Sequence, residues 1–177
     1  GMDSFGISPY SQVGADYSIS GFVATLAALE SLKKLNWTEA TKILRYAFFD
    51  AEEIGYIGSQ RFLSEVEHFV CNDENKEEGR CHDPERPNTE FTKIKLSEIE
   101  AVLEVKNVGL HSNKDEIYAH TQKTEQENDF VNIVTALLGL SSPLAISKPS
   151  SDVPGIPPSS THTFLKHNSE IKHIVFT

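Results

Sequence analysis

Two adjacent glutamates, Glu52 and Glu53, are the residues of this chain whose type and position best fit a catalytic or metal-binding role. They follow an apolar run, residues 43–49, that predicts a buried strand, and they precede a glycine-rich turn ending in Gly58 and Ser59 that predicts the start of a helix. In open α/β sheets, functional sites lie at the carboxyl ends of strands. Of two such glutamates in a metal-dependent hydrolase, one acts as general base and the other as metal ligand. The alternative is a solvated, charged turn without chemistry.

The elements that would position this pair alternate between helix and strand. Periodicity predicts helices over 18–35, 59–69 and 129–140, a helical turn over 163–168, and strands over 43–49, 101–105, 116–120, 144–147 and 171–176. Such alternation predicts a three-layer α/β/α fold with a mainly parallel central sheet and with Glu52 at a strand's carboxyl end. We interpret residues 1–177 as one domain, with a charged surface insert at about 71–92.

The composition restricts the classes of partner. The formal net charge of −10 argues against a nucleic-acid partner. The sequence has no apolar run of about 18 residues, so it predicts no membrane-spanning helix. The chain begins without the strand that should precede Met2 and Asp3 and ends on a strand, which predicts a fragment of a larger protein.

The two cysteines and one sequon bear on the compartment. Cys71 and Cys81 flank a charged segment, and a disulfide between them would stabilise the fold by roughly 2–3 kcal/mol in an oxidising compartment. The alternative is two free thiols in a cytosolic protein. Asn36, Trp37 and Thr38 form a sequon for N-glycosylation at Asn36. Together these features favour a lumenal or extracellular domain.

The order of the motifs resembles that of the co-catalytic zinc aminopeptidases over most of the chain. By this resemblance Asp16, Glu53 and Glu104 match metal-ligand positions, and Asp3 matches the residue that orients a histidine ligand. Gly1 and Thr161 stand at the two histidine positions of that family. A carboxylate-only set favours magnesium or calcium over zinc. The resemblance therefore implies a vestigial metal site, with no catalytic residue, no bound metal and no cofactor.

Other stretches resemble the nicastrin family, namely residues 22–30, the Glu-Glu segment through Tyr56-Ile57-Gly58-Ser59, residues 117–121 and the run Pro157-Pro158-Ser159-Ser160 before Phe164-Leu165. The chain departs from animal members at Gly55, where they usually carry aspartate, and it keeps Glu53, which they replace. This resemblance implies a type I membrane protein whose non-catalytic lumenal or extracellular domain recruits or gates substrates for intramembrane proteolysis. The implied partners are presenilin, the other γ-secretase subunits and the amino termini of membrane-protein substrates. The alternative function is an active metal-dependent aminopeptidase with a modified ligand set.

Within the nicastrin interpretation, Glu52 and Tyr56 are the candidates for substrate recognition. A carboxylate at position 52 could pair with the α-ammonium of a substrate through charge-assisted hydrogen bonds. It could equally bond to nearby backbone and hold the Glu-Glu turn in shape. The sequence leaves both hypotheses open.

Overall fold

The computed structural model of the chain describes residues 19–72, 76–77, 80–83, 85–86, 90–91, 94–109, 116–122, 129–134, 136, 145–147 and 155–177. The helices are α1 (Gly21–Leu32), α2 (Ile57–His68), α3 (helical at 129–134 and 136) and α4 (Thr161–His167), with a 3-10 turn at Leu96–Glu98. The strands are β1 (Lys76–Glu77), β2 (Arg80–His82), β3 (Glu90–Phe91), β4 (Ala101–Val105), β5 (Glu116–His120), β6 (Ala145–Ser147) and β7 (Lys172–Phe176).

Among the described residues, four strands form the larger sheet, in the order β4-β7-β5-β6. Strand β7 pairs parallel with β4, and β5 pairs parallel with β6. The central pair, β5 with β7, is antiparallel, so the sheet is mixed. The predicted α/β class is confirmed, whereas the antiparallel centre was not predicted. The periodicity of apolar residues indicates which side chains are buried, but it does not indicate whether a strand runs parallel or antiparallel to its neighbours in the sheet.

Apolar clusters lie on opposite faces of the sheet. Because side chains alternate along a strand, Ile174 and Phe176 of β7 point to one face, where they pack with Ala119 and with Val131 of α3. Val102 of β4 lies on the other face, in a cluster with three buried residues, Leu63 of α2, Phe164 of α4 and Ile171. Helices α2 and α4 therefore cover the face of β4 to which Glu104 also belongs.

The predicted strand over 43–49 is wrong, and with it the expectation that Glu52 follows a strand. None of these residues pairs in a sheet with another described residue, and Ile43 is 80% exposed. A strand requires a neighbour for its N–H and C=O groups, and the apolar run by itself specifies none. The segment is packed at Phe49, whose ring lies 5.4 Å from that of Phe62 and 6.3 Å from that of Phe164. These contacts place Glu52 next to α2 and α4.

The charged insert contains structure of its own. Strands β1, β2 and β3 form a small antiparallel sheet, and a disulfide joins Cys71 to Cys81 with their Cα atoms 5.9 Å apart. This is the pairing that the sequence analysis favours. The Phe91 ring meets the Phe69 ring edge-on at 5.7 Å, so the insert packs against the end of α2.

A buried histidine on β5 gives the fold a predictable pH dependence. His120 is 9% exposed, its Nε2 lies 2.8 Å from Thr177 Oγ1, and its buried Nδ1 has no hydrogen-bond partner among the described residues. Burial lowers the pKa of His120 below its ordinary value. As pH falls below about 6.5, the unfolded chain therefore binds a proton that the folded chain does not, and the free energy of unfolding decreases.

We expect chemical denaturation to show a smaller loss of stability between neutral and mildly acidic pH in His120→Gln than in the unsubstituted protein. His68→Gln is the matched control, because His68 is exposed at the end of α2. Equal pH dependence in the His120→Gln and unsubstituted proteins would contradict this account.

Candidate functional site

The turn between residues 50 and 58 is built from backbone in left-handed conformations. Ala51, Gly55 and Tyr56 have φ values of 57°, 73° and 60°. The Tyr56 N–H donates to Glu52 O at 3.1 Å, which closes the turn directly before α2. Gly55 adopts its conformation without steric cost, and aspartate is among the few other residues that tolerate it. The aspartate that animal members of the resembled family carry at this position is therefore compatible with the same turn.

Glu52 is 5% exposed, and both of its carboxylate oxygens accept hydrogen bonds. Oε1 accepts from the Ser59 N–H at 2.7 Å, and Oε2 accepts from Ser59 Oγ at 2.9 Å and from Ser160 Oγ at 2.5 Å. The first two bonds fix the turn onto the start of α2. The third ties that turn to the segment that precedes α4, 108 positions along the chain. Glu52 therefore holds two separate segments together.

Glu104 serves the start of α4 in a similar way. Its Oε2 accepts from the Thr161 N–H at 2.9 Å and from Thr161 Oγ1 at 2.8 Å, and its Oε1 accepts from the Ser160 N–H at 3.3 Å. The first N–H groups of a helix have no partner within the helix, and a carboxylate there satisfies them and complements the helix dipole. Glu104 is thus the acceptor for the amino-terminal end of α4.

A small cavity lies between these two carboxylates. Its lining comprises Glu52, Glu53, Tyr56, Glu104, Lys106, Ser159 and Ser160. Its volume is about 10 Å³, which is room for about one water molecule or one group of that size. Three carboxylates against one lysine give the cavity a negative potential, and the Lys106 ammonium donates to Pro158 O.

Tyr56 forms one wall of the cavity and connects it to the surface. Burial raises the pKa of the Tyr56 phenol, and the nearby charges of Glu104, Glu53 and Glu52 raise it further, while a hydrogen bond with the Ser159 backbone acts in the opposite direction. The hydroxyl therefore stays protonated at neutral pH. The Tyr56 ring stacks on that of the exposed His162, with centroids 6.2 Å apart and planes inclined at 22°.

The structure brings together four of the nine site residues that were predicted from the sequence. Glu52, Glu53, Tyr56 and Glu104 line one cavity, whereas Asn36, Cys71 and Cys81 lie elsewhere. The predicted positions Asp3 and Asp16 lie outside the described residues. Within the described part of the chain, no three His, Cys, Asp or Glu side chains are arranged to hold a metal ion. The carboxylates of Glu52 and Glu104 are turned instead to hydroxyl and N–H groups, so the described residues do not fit a metal centre.

Three residues of the cavity, namely Ser159, Ser160 and Lys106, were not predicted from the sequence as site residues. Ser159 and Ser160 belong to the run Pro157-Pro158-Ser159-Ser160 that carries the family resemblance. A serine or threonine directly before an apolar helical segment is also a helix-start signal, and that signal could have placed Ser160 at the amino-terminal end of α4.

Comparisons with known proteins match nearly all of the chain. A family model described as the nicastrin large lobe matches residues 1–177. Nicastrin from Dictyostelium purpureum is 31% identical over 173 residues, which are 93% of this chain and 26% of that protein. Nicastrin from Caenorhabditis elegans is 27% identical over an alignment of 186 positions that covers 98% of this chain and 24% of the relative. The chain thus spans about a quarter of the length of these curated relatives.

The fold is also similar to a solved structure. The crystal structure described as the gamma-secretase component Nicastrin matches with a TM-score of 0.75 and 28% sequence identity, over 93% of this chain and 30% of that chain.

Proposed function

The chain belongs to the nicastrin family, and from this premise we propose that it is the large lobe of a non-catalytic γ-secretase subunit that recruits or gates substrates for intramembrane proteolysis. The family model covers every residue of the chain, and the similar crystal structure is described as a γ-secretase component. By the same premise, presenilin and the other subunits of the complex are its partners.

The observation that carries the non-catalytic part of this proposal is the hydrogen bonding of Glu52 and Glu104. A general base must have an oxygen available to take a proton from water, and a ligand must direct an oxygen at the metal. Here Glu52 accepts three hydrogen bonds from Ser59 and Ser160, and Glu104 accepts three from Ser160 and Thr161. The carboxylates inherited by an aminopeptidase-like fold therefore hold the chain together, which is the arrangement of a pseudoenzyme.

The cavity supports a recognition role for the same region. A group the size of water that carries a positive charge fits both its volume and its potential, and the α-ammonium of a polypeptide is such a group. Glu53 is half-buried, and both Glu53 and Tyr56 line the cavity. The Glu53 carboxylate and the uncharged Tyr56 hydroxyl oxygen can therefore accept hydrogen bonds from an incoming ammonium group. Glu52 contributes its charge and fixes the wall. Amino termini of membrane-protein substrates are therefore the proposed ligands.

A binding experiment with one pair of probes tests this role. A fluorescent peptide with a free amino terminus should bind the full-length protein about ten- to a hundredfold more tightly than the same peptide acetylated, since charge-assisted hydrogen bonds contribute about 1.5–3 kcal/mol. Glu53→Gln and Tyr56→Phe should each reduce this preference. Glu65→Gln is the matched control, because Glu65 is exposed on α2 and pairs with Arg61.

Equal affinity for the free and acetylated probes would reject amino-terminal recognition and leave the family membership intact.

An assay with an aminoacyl chromogenic substrate, with and without added zinc, tests the alternative function, aminopeptidase activity. We expect no hydrolysis above background. Hydrolysis that Glu52→Gln abolishes would instead establish the aminopeptidase alternative.

The proposal extends to architecture and location. The opposite placement of the two apolar clusters supports a three-layer α/β/α arrangement of one domain over 1–177. No helix within the described ranges has both the length and the apolar character to cross a membrane. The Cys71–Cys81 disulfide supports an oxidising compartment. We therefore place the chain in the lumenal or extracellular part of a type I membrane protein.

A further inference from the structure

Ser159 is a polar residue of the small cavity whose side chain takes part in none of the hydrogen bonds described above. It lines the cavity and is 1% exposed, and its buried Oγ has no hydrogen-bond partner within the described part of the chain. Buried hydroxyl groups in native proteins almost always have a partner, because an unsatisfied one retains the cost of its removal from water. An unpaired hydroxyl at the edge of a cavity therefore points to a ligand from outside the chain.

The backbone of Ser159 is held in place by contacts that do not involve its hydroxyl group. Its carbonyl oxygen accepts from the His162 N–H at 3.2 Å, and its backbone forms a hydrogen bond with the Tyr56 phenol at the wall of the cavity. The next residue, Ser160, donates its own hydroxyl to Glu52. The Ser159 side chain is thus kept beside the cavity and remains available to a ligand.

The other groups of the cavity indicate which ligand would satisfy this hydroxyl. Three carboxylates, those of Glu52, Glu53 and Glu104, against one lysine favour a positively charged group. The volume of about 10 Å³ admits one group of the size of a water molecule. A primary ammonium group meets both conditions, and its three N–H donors need three acceptors. A dimethylated amino group has one N–H donor and a larger volume, so it meets neither the volume nor the number of acceptors.

We propose that the Ser159 hydroxyl is the third acceptor for the α-ammonium group and limits the site to peptides whose amino terminus is primary and unmethylated. This inference rests on the function proposed above, in which Glu53 and Tyr56 supply the other two acceptors. Ser159 is in this sense a specificity-determining residue. It distinguishes ammonium groups by their N–H donors and size, whereas the carboxylates distinguish them by charge alone.

Modifications of one peptide separate the effect of charge from that of N–H donors and size. The probe is a lysine-free peptide with a fluorophore at its carboxyl end and an amino terminus that is free, acetylated or dimethylated. The dimethylated terminus keeps its positive charge. We expect the full-length protein to bind the free terminus about tenfold more tightly than the dimethylated one. Equal affinity for these two probes would overturn the proposal, because charge alone would then account for binding.

The variant Ser159→Ala tests the hydroxyl group itself. We expect the affinity for the free-terminus probe to fall about tenfold, the lower end of the effect of a hydrogen bond to a charged group, and the affinity for the dimethylated probe to stay unchanged. The Tm should not fall, because alanine removes a buried hydroxyl that no described residue pairs with. Ser64→Ala is the matched control, because Ser64 is exposed on α2 and does not line the cavity.

The outcomes distinguish the role of Ser159 from amino-terminal recognition itself. If the unsubstituted protein and Ser159→Ala prefer the free over the acetylated terminus equally, recognition stands and the role of Ser159 is overturned. If the unsubstituted protein binds both probes equally, the proposed function fails and the role of Ser159 fails with it. A lower Tm of Ser159→Ala with unchanged affinities would show that the hydroxyl binds a structural water molecule, and would also overturn the proposal.

Discussion

Replacement of Glu52 by alanine is expected to lower the free energy of unfolding by about 3 kcal/mol or more. The side chain is 5% exposed and accepts hydrogen bonds from the Ser59 N–H, Ser59 Oγ and Ser160 Oγ. Its removal takes the acceptor from the buried Ser59 N–H and Ser160 Oγ, leaves Ser59 Oγ with only the longer bond to Tyr56 O at 3.3 Å, and breaks the link between α2 and the segment before α4. Thermal unfolding should show a decrease in Tm of roughly 6–12 °C, and hydrogen exchange should speed up at both segments.

The neighbouring carboxylate provides the control for this prediction. Glu53→Ala should change stability by no more than about 0.5 kcal/mol, because Glu53 is only half-buried. The sequence is compatible with Glu52 either capturing substrate or holding the turn, and the three accepted hydrogen bonds favour the second role. If the Glu52→Ala variant had the same Tm as the unsubstituted protein but lost the preference for a peptide with a free amino terminus, the capture hypothesis would be correct instead.

Replacement of Gly58 by alanine is the second change with a large expected effect, about 3 kcal/mol of destabilisation. Gly58 lies in the first turn of α2, where a Cβ atom would come within 2.1 Å of Asp50 O and 3.0 Å of Glu52 Oε1. The nearest atom, Asp50 O, belongs to the backbone and cannot move aside as the end of a flexible side chain could. The turn and the Glu52 carboxylate must therefore shift to make room for the methyl group. Helix propensity alone predicts the opposite sign, a gain of about 1 kcal/mol for alanine over glycine. Chemical denaturation distinguishes the two outcomes.

Gly55→Asn is the matched control for this substitution. No atom lies within 4 Å of a Cβ at position 55, and asparagine tolerates the left-handed conformation that the φ of 73° requires. We expect its stability to remain within about 1 kcal/mol of the unsubstituted protein. A stabilising Gly58→Ala would show that helix propensity outweighs the close approach, and that the turn is looser than described.

The sequence by itself determined the elements whose signals are local. Strands β4 and β5 have the predicted limits, and α2 differs from its prediction by one or two residues at each end, because periodicity and turn residues are properties of a short window. Four of the candidate site residues, Glu52, Glu53, Tyr56 and Glu104, line one cavity, and their role in recognition stays a prediction. Resemblance supplied the grouping here, because nothing local connects Glu104 to Glu52.

Only the tertiary structure decided what these residues do. The apolar run over 43–49 has the composition of a strand, but a strand also needs a paired neighbour, and no described residue provides one. The role of Glu52 depends in the same way on Ser160, which is 108 positions away and reaches it through the packing of α4 against α2 and β4. The sequence shows the same glutamate whether its carboxylate accepts a proton, binds a metal ion or accepts hydrogen bonds. The donors that the fold brings within 3 Å of its oxygens select among them.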